Sequence, residues 1–396
     1  SAASDVYKSQ IVIGGKEIRT GRTHAAVMPH NHRHVIAEWH AADAELVQKA
    51  AATATAAARE WGSWRWEDRA AVFLRAAELL ATTWRSTLNA ATMLGQSKVA
   101  FQAEIDSACE LVDFLRFNAH FAEQVYGEQP ISTRAAWNQL DYRPLEGFVY
   151  AITPFNFTAI GGNLTAAPAL MGNGVVWKPS ATAMLSAYYT MRLFEAAGLP
   201  PGVINFVPGD PVEISNVLLD SRDLAGIHFT GSTTVFNALW KKAGENLGRY
   251  RGYPRLVGET GGKDFIVAHP SADPQAVAVA IVRGGFEYQG QKCSAASRVY
   301  IPASLWAQVR DRAVAMMKDI TVGDVRDFQT FMGAVIDRKS FDKISGYLDH
   351  ARRNATIVQG GVARGEDGYF VEPTLIQTTD PAYRTLCEEI FGPVVT

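Results

Sequence analysis

A cysteine at position 293 stands in the stretch Gly290-Gln291-Lys292-Cys293-Ser294-Ala295, beside a cation and among small residues. A cationic neighbour favours the thiolate form of cysteine, and the thiolate is a nucleophile. The competing reading is a buried structural cysteine, the common fate of a free thiol. Two other cysteines occur. Cys109 shares helical core spacing with Ile105, Val112 and Ala119, so packing is favoured there. Cys387 precedes Glu388-Glu389, whose charge opposes thiolate formation.

Four more groups could share chemistry with that thiol. Glu259, in Gly258-Glu259-Thr260-Gly261-Gly262-Lys263, ends an apolar run before paired glycines. It reads as a general base freed by a flexible turn, or as a solvated turn residue. Asn156, in Pro154-Phe155-Asn156-Phe157-Thr158, could donate its amide to an oxyanion or serve as a turn or cap residue. Lys178 ends another apolar run. Gly231-Ser232 opens a helix, where free N–H groups and the helix dipole favour phosphate, although no G-x-G-x-x-G accompanies it. Thiol, carboxylate, amide and nucleotide site together suit oxidation of an aldehyde through a thioester. The thiolate adds to the carbonyl, hydride passes to a nicotinamide, and water hydrolyses the acyl-enzyme. His30, His32 and His34 would share one face of a strand, but no cysteine or carboxylate joins them at a ligand spacing, and no metal is expected. Trp61, Trp64 and Trp66 read as packing at a helix start.

These groups need a scaffold that presents strand ends. Helical periodicity covers 43–58, 67–94 and 104–125, giving a helical N-terminal layer. Gly14-Gly15 predicts a hairpin turn. The polar stretch 131–146 reads as an extended arm. From 148 onward, strands at 148–153, 175–178, 203–207, 226–230 and 256–259 alternate with helices, the pattern of a parallel, doubly wound sheet. Its strand ends carry the candidate groups, the edge where open α/β sheets bind ligands. After Gly261-Gly262 a second alternation begins, so a domain boundary is placed near 260. The fold class expected is α/β.

Composition bounds the partners. A chain of 396 residues exceeds what one core of roughly 250–300 residues serves, so two domains are expected. Net charge is −2, which leaves no basic surplus for a nucleic-acid backbone. No apolar run is long enough to span a bilayer, and Ser1–Gln10 is too polar for a signal peptide. Three cysteines suit a reducing compartment, either cytoplasm or, for a eukaryotic source, the mitochondrial matrix. The apolar run Ile390–Thr396 starts where the sequence stops. The expectation is a fragment with an incomplete second domain, exposed apolar surface there, and weak or absent activity.

At these motifs the sequence resembles the aldehyde dehydrogenase superfamily, from the Ala-rich first helix to Glu388–Pro393. The resemblance implies a doubly wound NAD-binding domain (1–130 and 147–260), an oligomerisation arm segment (131–146) and an incomplete α/β catalytic domain (261–396). It implies Cys293 as nucleophile, Glu259 as the deacylation base, and Asn156 with the Cys293 backbone N–H as oxyanion hole. For NAD it implies Thr153, Lys178 and Ser180, then Gly231 and Ser232 at the pyrophosphate. Thr260, Glu389 and Phe391 would lie around the nicotinamide and its ribose. Ala181 stands where the family often has a ribose-binding glutamate. The stretches 103–106, 114–119, 127–130, 145–148, 154–164 and 286–295 are similar to the branch that oxidises L-glutamate γ-semialdehyde, formed from Δ1-pyrroline-5-carboxylate, to L-glutamate in proline degradation. There Ser294, Phe157 and Glu110 would meet the substrate, although Glu110 also reads as part of a solvated acidic helix face with Asp106 and Asp113. A homodimer or larger homo-oligomer is implied. The rival readings are a dehydrogenase of another semialdehyde using NAD or NADP, and a catalytically silent chain on the same fold.

Overall fold

A computed structural model describes residues 7–396; the first six residues of the polar N-terminal stretch lie outside it. The chain forms two compact units. One holds the residues up to Ala26, Ala37–Ala91 and Glu104–Glu259. The other holds Val27–Ile36, Thr92–Ala103 and Thr260–Thr396.

The first unit is built on a seven-stranded sheet. Its order is Arg255–Thr260, Leu224–Gly231, Phe148–Ile152, Gly174–Lys178, Ile204–Phe206, Ile11–Ile13, Lys16–Ile18. Phe148–Ile152 pairs in parallel with both neighbours, and Gly174–Lys178 pairs in parallel with Ile204–Phe206. All five residues of Phe148–Ile152 are buried, as a central parallel strand requires. Ile11–Ile13 and Lys16–Ile18 form an antiparallel hairpin at the edge, turned by Gly14 and Gly15 at φ 61° and 73°. Helix Ala44–Trp61 packs on the sheet with Asp43 as N-cap, its carboxylate accepting from the Leu46 N–H at 2.9 Å. Trp61 is buried, and Trp66 stacks on Tyr126.

Two helical expectations need correction. The periodicity over 67–94 is two helices, Trp66–Ala81 and Arg85–Gln96. The hydroxyls of Thr82 and Thr83 donate back to the Glu78 and Leu79 carbonyls, so side chains compete with the backbone ladder. The stretch 104–125 opens as a π-helix, Glu104–Glu110, and continues as helix Leu111–Gly127. A π-turn is wider than an α-turn and shifts the phase of every side chain in it. Cys109 and Ile105 are therefore exposed, and the core reading of Cys109 fails; Asp106, Ser107 and Ala108 face inward instead. The segment 131–146 has no helix or strand, with Trp137 84% exposed.

In the second unit, Asp264–Val267 runs parallel to Ala296–Tyr300. Val299 N donates to Thr396 O at 2.8 Å, and Thr396 N to Ser297 O at 3.1 Å. Val394–Val395 also pairs in parallel with Thr374–Gln377, which is antiparallel to Thr356–Gln359. The final apolar residues are thus covered on both sides, and Val394 and Val395 are buried. Phe265 and Val267 are exposed. The histidine face expected at 30, 32 and 34 does not form one environment. His30 is buried against Ser97, His32 stacks on Tyr369, and His34 is exposed. Among the described residues no helix is long and apolar enough to cross a membrane.

Candidate active site

In the first unit the strand ends collect most of the candidate groups. Thr153 follows Phe148–Ile152, and its Oγ1 accepts from Trp177 Nε1 at 2.9 Å while its N–H donates to Lys178 O at 3.3 Å. The ends of two neighbouring strands are thereby locked. Burial pulls the Lys178 ammonium from its ordinary 10.5 down to about 8, with Asp210 opposing the shift. Ser180 shares a hydrogen bond with Thr182 at 3.1 Å.

At the end of Leu224–Gly231, the buried Thr230 hydroxyl has no hydrogen-bond partner among the described residues. Gly231 leaves no room for a side chain, since a Cβ would lie 2.7 Å from the Phe229 ring. Ser232 caps helix Thr233–Glu245, its hydroxyl accepting from Val235 N at 3.3 Å. Its hydroxyl serves the helix, so a phosphate there would meet backbone. A cation, an orphaned hydroxyl and a side-chain-free turn at a helix start fit a dinucleotide, and NAD fits this edge. Glu259 lies exposed near the end of Arg255–Thr260. A side chain at Gly258 would overlap the Phe236 ring, which stacks on Phe229 at 5.3 Å.

Asn156 is buried just before helix Thr158–Leu170. The N-cap position of that helix is Phe157, which cannot cap. The cap comes from Asp106, which sequence reading placed on a solvated face. It is 1% exposed. Oδ2 accepts from Thr158 N and Oδ1 from Ala159 N, both at 3.0 Å. Glu110, half-buried, ends the same π-helix.

In the second unit, half-buried Cys293 follows the turn Glu287–Gly290. Tyr288, Gln289 and Gly290 have φ of 49°, 56° and 64°, three left-handed residues in succession. For a residue with a Cβ this costs roughly 1–2 kcal/mol each. The surroundings enforce it. Gln289 Nε2 donates to Ser97 O at 3.0 Å and Ala334 O at 2.8 Å, and Oε1 accepts from Gly333 N at 3.0 Å. Gln291 Oε1 accepts from Ile336 N at 2.9 Å. Lys98 Nζ sits 4.4 Å above the Tyr288 ring. Lys292 does not act as a lone cation beside the thiol, because its Nζ lies 3.5 Å from Glu287 Oε2. Ser294 is exposed.

Gly261 and Gly262 follow Thr260, the last residue of strand Arg255–Thr260. A Cβ at Gly261 would meet Glu389 Oε1 at 3.2 Å, and one at Gly262 would meet the Cys293 carbonyl at 3.9 Å. Burial raises the Glu389 carboxyl above its usual range, while Lys263 and Lys343 pull it down. Phe391, with φ 59°, is half-buried two residues on. This unit therefore brings Glu389 and the Cys293 backbone to one glycine turn.

A model of the aldehyde dehydrogenase family matches residues 18–396. The chain belongs to the aldehyde dehydrogenase family. The Dictyostelium discoideum "Delta-1-pyrroline-5-carboxylate dehydrogenase, mitochondrial" is 51% identical over 390 residues, covering 97% of this chain and 70% of that protein. The Mycobacterium tuberculosis Delta-pyrroline-5-carboxylate dehydrogenase bound with NAD superposes with a TM-score of 0.96 at 50% identity, covering 99% of this chain and 73% of that one. The methylmalonate-semialdehyde dehydrogenase of Oceanimonas doudoroffii shares the fold at TM-score 0.88 and 26% identity, over 98% of this chain and 80% of its own.

The family fold explains what the motifs alone did not mark. Asp106, Ser97, Gln289 and Gln291 carry no chemistry signature in the sequence, yet each holds a segment bearing a candidate group. Gln289 and Gln291 lie inside the cysteine motif, which was their one available signal.

Proposed function

We propose that this chain oxidises L-glutamate γ-semialdehyde, the open form of Δ1-pyrroline-5-carboxylate, to L-glutamate with NAD. The observation that carries this is the identity near 50% across almost the whole chain with relatives of that name, against 26% for a dehydrogenase of another semialdehyde.

In this reading the Cys293 thiolate attacks the aldehyde carbon and forms a C–S bond. The carbonyl oxygen becomes an alkoxide, which the Asn156 amide and the Cys293 N–H stabilise by donation. NAD, when bound, supplies the hydride acceptor. Thr153, Lys178, Ser180, Gly231, Ser232, Thr260, Glu389 and Phe391 are the residues that would bind it. Loss of hydride leaves a thioester on Cys293. Glu259 takes a proton from water, the resulting hydroxide adds to the thioester, and the C–S bond breaks to release glutamate and the thiolate. Ser294 meets the substrate carboxylate, Phe157 its aliphatic chain and Glu110 its amino end. Residues 1–130 and 147–260, apart from the excursions Val27–Ile36 and Thr92–Ala103, form the NAD-binding domain, 261–396 supply the nucleophile, and the exposed segment 131–146 is an arm in a homo-oligomer. The mitochondrial matrix is the compartment for a eukaryotic source and the cytoplasm for a bacterial one.

NADH formation tests the reading. Cys293→Ala abolishes turnover, and Glu259→Gln accumulates a thioester seen as added protein mass. Normal turnover in Cys293→Ala would overturn the assignment.

A further inference from the structure

We propose that Asp106 is a positioning residue for the reaction, fixing the segment that carries Asn156 and Phe157 relative to Glu110. This rests on the reading of Asn156 as an oxyanion donor.

The argument begins with the π-helix Glu104–Glu110. In an α-helical continuation, the 104–125 pattern would place Asp106 with Glu110 and Asp113 on a solvated face. The wider π-turn rotates Asp106 inward and leaves Glu110, four residues later, half-buried at its end. Asp106 then spans two backbone N–H groups, Thr158 and Ala159, with one oxygen each. A carboxylate so placed also opposes the positive end of the helix dipole.

The rest of the interface shows that this is a seat and not an isolated cap. A Cβ at Gly162 would lie 2.6 Å from Leu111 Cδ1, so the Leu111 side chain packs directly on the backbone of the facing helix. Two turns along helix Leu111–Gly127, Asn118 Nδ2 donates to Asn163 Oδ1 at 2.7 Å. Glu110 lies between Asp106 and Leu111, and is therefore fixed to the helix that begins just after Asn156 and Phe157. The π-helix is itself tied down: Glu104 is paired with Arg85 and accepts from Asn89 Nδ2 at 2.5 Å.

There is a chemical corollary. First-turn N–H groups of a helix are natural donors to an oxyanion. Two of them here are already engaged by Asp106, which leaves anion stabilisation on this unit to the Asn156 side chain. A small displacement of that amide lowers transition-state stabilisation with little change in cofactor binding.

The test is a double-mutant cycle in the full chain, with Asp106→Asn, Asn156→Ala and the pair, kcat being normalised to the reactive thiol. Asp106→Asn keeps the shape but turns one acceptor into a donor facing an N–H. We expect kcat to fall about tenfold, with NAD affinity unchanged. In the Asn156→Ala background the same change costs less than about twofold, because the amide it positions is gone. Equal fold losses in both backgrounds, or no loss in the single variant, overturn the proposal. Full kcat in Asn156→Ala alone overturns the oxyanion reading, and this proposal with it. Should Asp106→Asn fail to fold, Asp106→Ser retains one acceptor and enters the same cycle.

Discussion

Gln289 Nε2 donates to the Ser97 carbonyl at 3.0 Å. A residue from the N-terminal quarter of the chain thus fixes the loop that presents Cys293. Gln289→Leu removes this bond and two others, leaving Ser97 O, Ala334 O and Gly333 N buried without it. Each stranded group costs about 1–3 kcal/mol. Urea denaturation should show a loss of at least about 3 kcal/mol. The rate of Cys293 alkylation by iodoacetamide should change with it. Wild-type values in both would sink this account of the loop.

In its proposed role at the cofactor, Lys178 predicts a pH dependence of NAD binding. Its ammonium is depressed to about 8, so the charged form prevails below that pH and the neutral amine above it. In the proposed role the charge favours NAD. Affinity measured by fluorescence titration should weaken as pH rises through 8, and Lys178→Met should remove that step. A flat wild-type profile between pH 7 and 9.5 would contradict the role.

His30 governs acid stability. Burial lowers its pKa from 6.5 to about 4, with Asp324 opposing and Arg326 and His34 reinforcing the shift. Its Nδ1 lies 3.1 Å from Ser97 Oγ. Between those two values the unfolded chain binds a proton that the folded chain refuses. Stability therefore falls as pH drops from 6.5 towards 4, by an amount of order 2 kcal/mol from this residue. In His30→Gln that part of the slope should vanish, as thermal melts across the window would reveal. Parallel slopes in the two proteins would refute it.

Much of the architecture was legible. Alternation of strands and helices from Phe148 to Glu259 read correctly because both faces of a parallel sheet are buried, and buried strands announce themselves as apolar runs. Cys293 and Glu259 stand out in the sequence as candidates because they sit in short glycine-bearing breaks, and Asn156 because it breaks an apolar stretch just before a helix. Asp106 was not, because a π-turn leaves no pattern in hydrophobic spacing and reassigns faces without changing composition. Nor did periodicity mark the excursions Val27–Ile36 and Thr92–Ala103 into the second unit, whose membership is decided by tertiary hydrogen bonds such as those of Ser97. The pairing of Lys292 with Glu287 was invisible for the same reason.

The bonds between Ser297, Val299 and Thr396 have a bearing on synthesis. Strand Ala296–Tyr300 begins three residues after Cys293, yet one of its neighbours is made roughly a hundred positions later, a separation that slows folding. While the chain emerges from the ribosome, the thiol exists long before the strand beside it is zipped on both edges. Cys293 therefore precedes a strand that waits on residues far downstream before it is held along that edge.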